Sequence, residues 1–183
     1  FDINRLLREQ QSSSGNGLIK DDNFPSNPRF SSFLHLPHGL NGFFDYDEAL
    51  AYAQEVNKPL FIDFTGHGCV NCRKMEEYVW ADVGVLSRLN IDYVIVALYV
   101  DDKTKLSDDE WYTSQYNGKI KKTLAKQNFD LQIDTFNRNA QPYYVLLDNK
   151  ENMLTTPRAY DLDIGGFIKF LDDGKRKIEE IDT

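Results

Sequence analysis

Cys69 and Cys72 are the only cysteines in this chain of 183 residues, and they stand at a junction that restricts what it can fold into. Before them runs Leu60-Phe61-Ile62-Asp63-Phe64, short and almost continuously apolar, as a strand covered on both faces is. After them, residues 70–80 carry a helical pattern with Cys72, Met75 and Val79 on one inner face. A buried strand that passes through the cysteine loop directly into a helix is the pattern of an α/β domain.

The C-x-x-C spacing lets one sulfur reach the other within a single helical turn, so the pair can cycle between dithiol and disulfide. As a staple it would do little, because a bridge closing so small a loop removes little chain entropy. As a zinc site it lacks ligands: His67, Cys69 and Cys72 make three, where zinc takes about four. No metal and no separate cofactor is expected, and the redox group is the cysteine pair itself.

Composition narrows the field further. The formal net charge is −8, which argues against a nucleic-acid binder or a binder of anionic membranes. Abundant phenylalanine and tyrosine argue for a buried core. The longest apolar run, residues 93–100, is strand-sized, well short of the ~20 residues that span a bilayer. The chain opens Phe1-Asp2-Ile3-Asn4-Arg5, with no starting Met and no basic-then-apolar leader, and reads as a piece cut from something longer.

Residues 1–42 differ from the rest. Ser12-Ser13-Ser14-Gly15-Asn16-Gly17 has linker composition, and Pro25, Pro28 and Pro37 punctuate the stretch after it. Phe30, Phe33, Leu34 and Leu36 are expected to dock on the body, which makes this segment a tether with one anchored patch. Residues 43–183 form the domain. Asp45 or Asp47 caps a helix through Asn57, with Ala49, Leu50, Ala53 and Val56 on its inner face. Strands are expected at residues 60–64, 93–100 and 142–147, with a fourth at 152–155 after the turn Asp148-Asn149-Lys150-Glu151. Helical turns are expected around Val83, Leu86 and Leu89, over residues 107–127 of a long polar stretch, 101–134, and over residues 163–181. That order gives a mixed central sheet flanked by helices, with a polar helical insert before the last strands.

A helix N-terminus favours the thiolate through its free N–H groups and positive dipole end. Cys69, at that start, is the expected nucleophile, and Cys72, one turn inward, the expected resolving thiol. Arg73 and Lys74 add positive charge or point away. Cys72 must lose its proton while buried, which requires a base. Asp63, in the middle of an apolar strand, is the candidate, with a pKa raised by desolvation; a place at a strand edge facing water is the weaker alternative. Glu76 shares the face of Cys72 one turn along, and is either a second proton-handling group or an ordinary helix-surface glutamate. His67 either tunes the thiolate or faces solvent. Pro142 stands at a strand start, where proline belongs. Its bond to Gln141 is either cis, exposing the Gln141 backbone to an incoming chain, or an ordinary trans linkage, which local sequence alone favours.

Taken together these residues resemble the thioredoxin fold: the apolar strand, Asp63 six residues before Cys69, the C-x-x-C opening a helix, and Gln141-Pro142 before the next strand occur in that order. The resemblance implies a cis Pro142 facing the disulfide as a substrate-binding residue, and an Asp63 that assists Cys72. Within that superfamily three runs look like the C-terminal domain of the DsbD-type thiol:disulfide interchange proteins. They are Gly68-Cys69-Val70-Asn71-Cys72-Arg73-Lys74-Met75-Glu76, Phe44-Asp45-Tyr46-Asp47-Glu48-Ala49 and Gln141-Pro142-Tyr143-Tyr144-Val145-Leu146-Leu147-Asp148. This likeness implies that Glu76 is a site residue. It further implies a domain on the periplasmic side of the inner membrane, within a larger membrane-anchored protein. That domain takes electrons from a membrane-embedded donor domain, passes them to a periplasmic acceptor domain, and is monomeric in isolation. Where thioredoxins carry Trp before the nucleophile this chain has Gly68, preceded by Thr65-Gly66-His67. That leaves the surface at Cys69 more open, with His67 and Gly68 as candidate substrate contacts. The expected activity is protein-disulfide reduction; a soluble oxidase or isomerase, or a non-catalytic binding module, are the alternatives.

Overall fold

The computed structural model describes residue 18 and residues 20–182. The serine/glycine linker and the opening residues therefore lie outside the described part.

The helices and strands after the tether form where local chemistry dictates. Helix α1 (Tyr46–Val56) starts at Asp45, whose carboxylate accepts from the Glu48 N–H, and ends at Asn57 in the left-handed conformation. Lys58-Pro59 leads into β1 (Leu60–Thr65). Helix α2 (Val70–Met75) continues as one π turn, Glu76–Trp80, and α3 (Val83–Asp92) comes next, capped by Asp82. Then come β2 (Val94–Tyr99), a hairpin of β3 (Tyr112–Thr113) and β4 (Ile120–Lys121), helix α4 (Leu124–Phe136), β5 (Tyr143–Leu147) and helix α5 (Ile164–Ile181).

The central sheet has the order β2-β1-β5 and is mixed. β1 runs parallel to β2, with Leu60 opposite Val94 and Thr65 opposite Tyr99. It runs antiparallel to β5, with Leu60 opposite Leu147 and Phe64 opposite Tyr143. Every residue of β1 and β2 is buried, as a central strand covered on both faces requires. Alternation then divides the core. Leu60, Ile62 and Phe64 face Ala49, Tyr52 and Ala53 of α1 and the partly buried Leu131 and Phe136 of α4. Phe61 faces Met75, Val79, Trp80, Leu89, Phe167 and Leu171 from α2, α3 and α5. Asp63, two residues on, shares the Phe61 side.

The segment before α1 packs on this body. Phe24 lies against Phe43 and Tyr52 at ring distances of 5.0 and 5.5 Å, and the Tyr52 hydroxyl donates to Asp21. Leu34 is buried, with Phe30 and Leu36 partly so, against Phe44, Ala97, Tyr99 and Leu124. Phe33 is exposed. Phe43 pairs along the outer side of β2, donating to the Ile95 carbonyl and accepting from the Ala97 N–H.

Two of the expected elements need correction. Residues 152–155 do not form a fourth strand. They meet the end of β5 at one bridge, Met153 to Leu147, flanked by bonds from the Leu154 N–H to the Leu146 carbonyl and from the Asp148 N–H to the Asn152 carbonyl. Pro157, which has no N–H to donate, interrupts the ladder before Arg158 pairs with Tyr144. The helix expected over residues 107–127 is replaced by one 3-10 turn, Asp108–Glu110, and the β3–β4 hairpin. Asn117-Gly118, with Gly118 at φ +71°, makes the turn there, and the helix starts only after Thr123 caps it. The helical turns expected around Val83, Leu86 and Leu89 form as α3, in which Val85 and Leu89 are buried and Val83, the first residue after the Asp82 cap, is 78% exposed.

Phe61 is fully buried and its ring contacts those of Trp80, Tyr144 and Phe167 at 5.6, 5.3 and 6.1 Å. Phe61→Ala is expected to cost about 3–5 kcal/mol of stability, measured by denaturant unfolding; a loss below about 1 kcal/mol would contradict a core centred on this ring.

Candidate active site

The parallel pairing of β1 with β2 brings two C-terminal strand ends side by side, and the cysteine loop springs from one of them. Ligands and chemistry gather at such ends in α/β sheets because the connecting loops there diverge and leave backbone groups free. Cys69 occupies the N-cap of α2: its sulfur accepts from the Cys72 N–H at 3.2 Å and its carbonyl from the Arg73 N–H. The two cysteines form a disulfide. Cys69 is half-buried, whereas Cys72 is 1% exposed. The pair is thus asymmetric, with one sulfur within reach of a partner and the other shielded by the helix.

On the sheet face that α2 covers lies a small polar group in an apolar setting. Asp63 is 2% exposed, and its Oδ1 has no hydrogen-bond partner among the described residues. Burial pushes its pKa well up, the charge of Glu76 adds to the rise, and Arg73 opposes it. Glu76, the first residue of the π turn, is raised by burial and held back by Arg73 and His38. Arg73 links the parts: its Nε lies 3.1 Å from Glu76 Oε2, and its Nη2 donates to Thr65 Oγ1 at 2.9 Å. His38, from the segment before α1, donates to the Glu76 carbonyl at 2.6 Å. Glu77 and Lys74 are exposed.

The loop before Cys69 is held from β2. His67 is half exposed; its Nε2 lies 2.8 Å from Asp102 Oδ2, and its ring lies on Tyr99 at 4.5 Å. Burial would raise the pKa of Asp102, but hydrogen bonds from Thr104 and His67 hold it low. Asp101 accepts from the backbone N–H groups of His67 and Gly68. At the other side of β1 the Gln141–Pro142 bond is cis and Pro142 is buried. It immediately precedes Tyr143, the partner of Phe64, so it sits at the same end of the sheet as the cysteine loop. The Gln141 side chain donates to Gln132 Oε1 at 2.9 Å, and Gln132, fully buried, donates to the Ala140 carbonyl at 2.8 Å.

The structure therefore gathers Cys69, Cys72, Asp63, Glu76, His67 and Gly68 around one strand end, with Gln141 and Pro142 on the neighbouring strand. Sequence reasoning missed Asp101, Asp102 and Gln132. The first two directly succeed a strong strand, where the strand-end rule would have pointed to them. Gln132 carries no local signal apart from being a polar residue among apolar ones in its helix.

A mixed sheet flanked by helices, with a C-x-x-C disulfide at the start of the helix after its central strand, defines a thioredoxin-like α/β fold. The chain belongs to the family of thioredoxin-like domains, whose model matches residues 46–156, more than half its length. Among solved structures it is similar to an oxidoreductase called DsbH, at 15% identity over 78% of this chain and 91% of that one, with a TM-score of 0.55. It is similar also to a thioredoxin from Thermus thermophilus, at 19% identity over 72% and 84%, with a TM-score of 0.51. The oxidised C-terminal domain of Neisseria meningitidis DsbD aligns at 12% identity over 73% and 99%, with a TM-score of 0.49. No curated protein matches at a significant level.

The raised pKa of Asp63 fixes the sign of a stability effect. A carboxyl that binds its proton more tightly folded than unfolded stabilises the fold fully below its unfolded pKa. That contribution is lost as pH rises through the raised value. Asp63→Asn is therefore expected to be more stable than the wild type at neutral and mildly alkaline pH, with the difference shrinking toward acid pH. Thermal unfolding across pH measures this, and a gap that widens toward acid would contradict a destabilised buried carboxylate.

Proposed function

We propose that this chain is a thiol:disulfide oxidoreductase acting on protein thiols and disulfides through Cys69 and Cys72. The observation that carries the reading is the asymmetric disulfide, with one half-exposed sulfur at a helix start and one buried sulfur a turn inward.

In the reducing direction the Cys69 thiolate attacks one sulfur of a partner disulfide. A mixed disulfide forms and the other partner sulfur leaves as a thiolate. Cys72, losing its proton, then attacks Cys69 Sγ. The Cys69–Cys72 bond forms, the mixed disulfide breaks, and the partner leaves fully reduced. Two electrons pass to the partner. Asp63, buried and short of a hydrogen-bond partner, takes the Cys72 proton, and Glu76, clamped by Arg73, lies within its electrostatic reach.

In finer detail the chain is a protein-disulfide reductase domain of the DsbD type. It draws electrons from a membrane-embedded domain and delivers them to an acceptor domain on the periplasmic side. The support is sequence likeness: the runs around Cys69, around Asp45 and from Gln141 to Asp148. No described helix is itself long and apolar enough to cross a membrane.

Cys69→Ala is expected to abolish insulin-disulfide reduction, and Cys72→Ala to accumulate a mixed disulfide. A Cys69→Ala protein as fast as the wild type would end the catalytic reading. Asp63→Asn is expected to slow release of the mixed disulfide more than its formation, monitored by stopped-flow quenching; equal slowing of both steps would remove Asp63 from proton transfer. Equilibration with glutathione is expected to give a potential on the order of −270 mV, whereas one near about −120 mV would mark an oxidant.

A further inference from the structure

The loop that carries Cys69 into its helix is gripped by an acid that takes no part in the dithiol–disulfide exchange itself. Asp101 accepts from the His67 N–H through Oδ1 at 2.8 Å and from the Gly68 N–H through Oδ2 at 2.9 Å. The loop is folded to fit this grip, with the Cys69 N–H donating to the Gly66 carbonyl at 3.3 Å. Gly66 keeps the approach clear, since a Cβ there would stand 3.0 Å from Asp101 Oδ2. Asp102 holds the His67 side chain, so two consecutive residues after β2 fix the two residues before the nucleophile.

This arrangement acts on Cys69 in two ways. Free backbone N–H groups beside a sulfur favour its thiolate, and here two of them are engaged by a carboxylate. A full negative charge is also held one residue from Cys69, and a like charge disfavours a second anion nearby. Other charged and titratable groups lie around the loop. Asp102 is paired with His67; Arg73 is bound to Thr65 and Glu76; Lys74 is exposed on the helix, and Asp63 is buried on β1. Among the described residues, only Asp101 has its carboxylate bonded to the backbone of the two residues before Cys69.

We propose that Asp101 is a positioning residue that fixes the loop before Cys69 and, through its charge, keeps Cys69 a weak thiolate, setting the cysteine pair on the reducing side. The chemistry derives from the couple. Oxidising the dithiol releases two electrons and the thiol protons, and an environment that stabilises the thiolate stabilises the reduced form and makes an oxidant. An acid fixed beside the nucleophile does the reverse. This inference rests on the thiol:disulfide oxidoreductase function proposed for Cys69 and Cys72.

The test uses Asp101→Asn and Asp101→Ser, both neutral and both able to accept one N–H bond, with Asp108→Asn in the distant 3-10 turn as a control for net charge. In both Asp101 variants the midpoint of the Cys69 thiolate titration, read by ultraviolet absorbance, is expected to fall by about half a pH unit at low salt. That is about a threefold change in the thiolate equilibrium, and it makes the glutathione potential up to about 15 mV less negative. The control is expected to move neither value. Unfolding midpoints separate loss of the clamp from loss of charge, because a purely structural role lowers stability without moving the thiolate titration. An unchanged or raised midpoint in a folded variant overturns the proposal, as does loss of the fold in both. Failure of the wild type itself to exchange with glutathione would instead overturn the oxidoreductase function.

Discussion

The site depends on the parallel pairing of β1 with β2. Register places Thr65 opposite Tyr99, so the residues after each strand emerge together, and the loop before Cys69 meets Asp101 and Asp102. Antiparallel pairing of these two strands would send their ends in opposite directions and separate the nucleophile from the acids that hold its loop. The full burial of β1 supplies the other half of the geometry. A strand covered on both faces has no side chain facing water, so a carboxylate placed on it is committed to the interior.

In the proposed exchange, that commitment becomes chemistry at Asp63. A carboxylate in an apolar layer, with one oxygen lacking a hydrogen-bond partner among the described residues, gains from taking up a proton because uptake relieves its desolvation. Arg73 limits the effect by drawing Glu76 into an ion pair while also bonding Thr65, the last residue of the strand that carries Asp63. The π turn that begins at Glu76 adds a residue to the helix at this point. Single π turns of this kind are frequent at functional sites.

Much of this was legible in the sequence because the signals were local and strong. The apolar run of β1, the Asp45 cap and the C-x-x-C each fix their own element, and their order gives the layered α/β plan. The π turn was not legible, since its residues show ordinary helical periodicity. The polar stretch misled because its Glu, Lys and Gln residues carry helix propensity, while Asn117-Gly118 turns the chain into a hairpin instead. Gln132 and the Asp101 clamp are tertiary facts. Each residue looks commonplace in its own segment and gains its role only when the sheet brings distant loops together. The cis bond before Pro142 was an implication of family resemblance, not of the local residues, which favoured trans.

The pairing of Phe43 along β2, and of Met153 and Arg158 against β5, has a consequence for the company such a protein keeps. A redox domain that meets extended or partly unfolded chains risks recruiting them as extra strands, because a bare sheet edge is a template for any passing backbone. Here both outer strands of the central sheet are lined by the chain's own segments. Under the proposed function a partner would be met at the strand ends, where Cys69 is, and the encounter could finish in release instead of in a tangle.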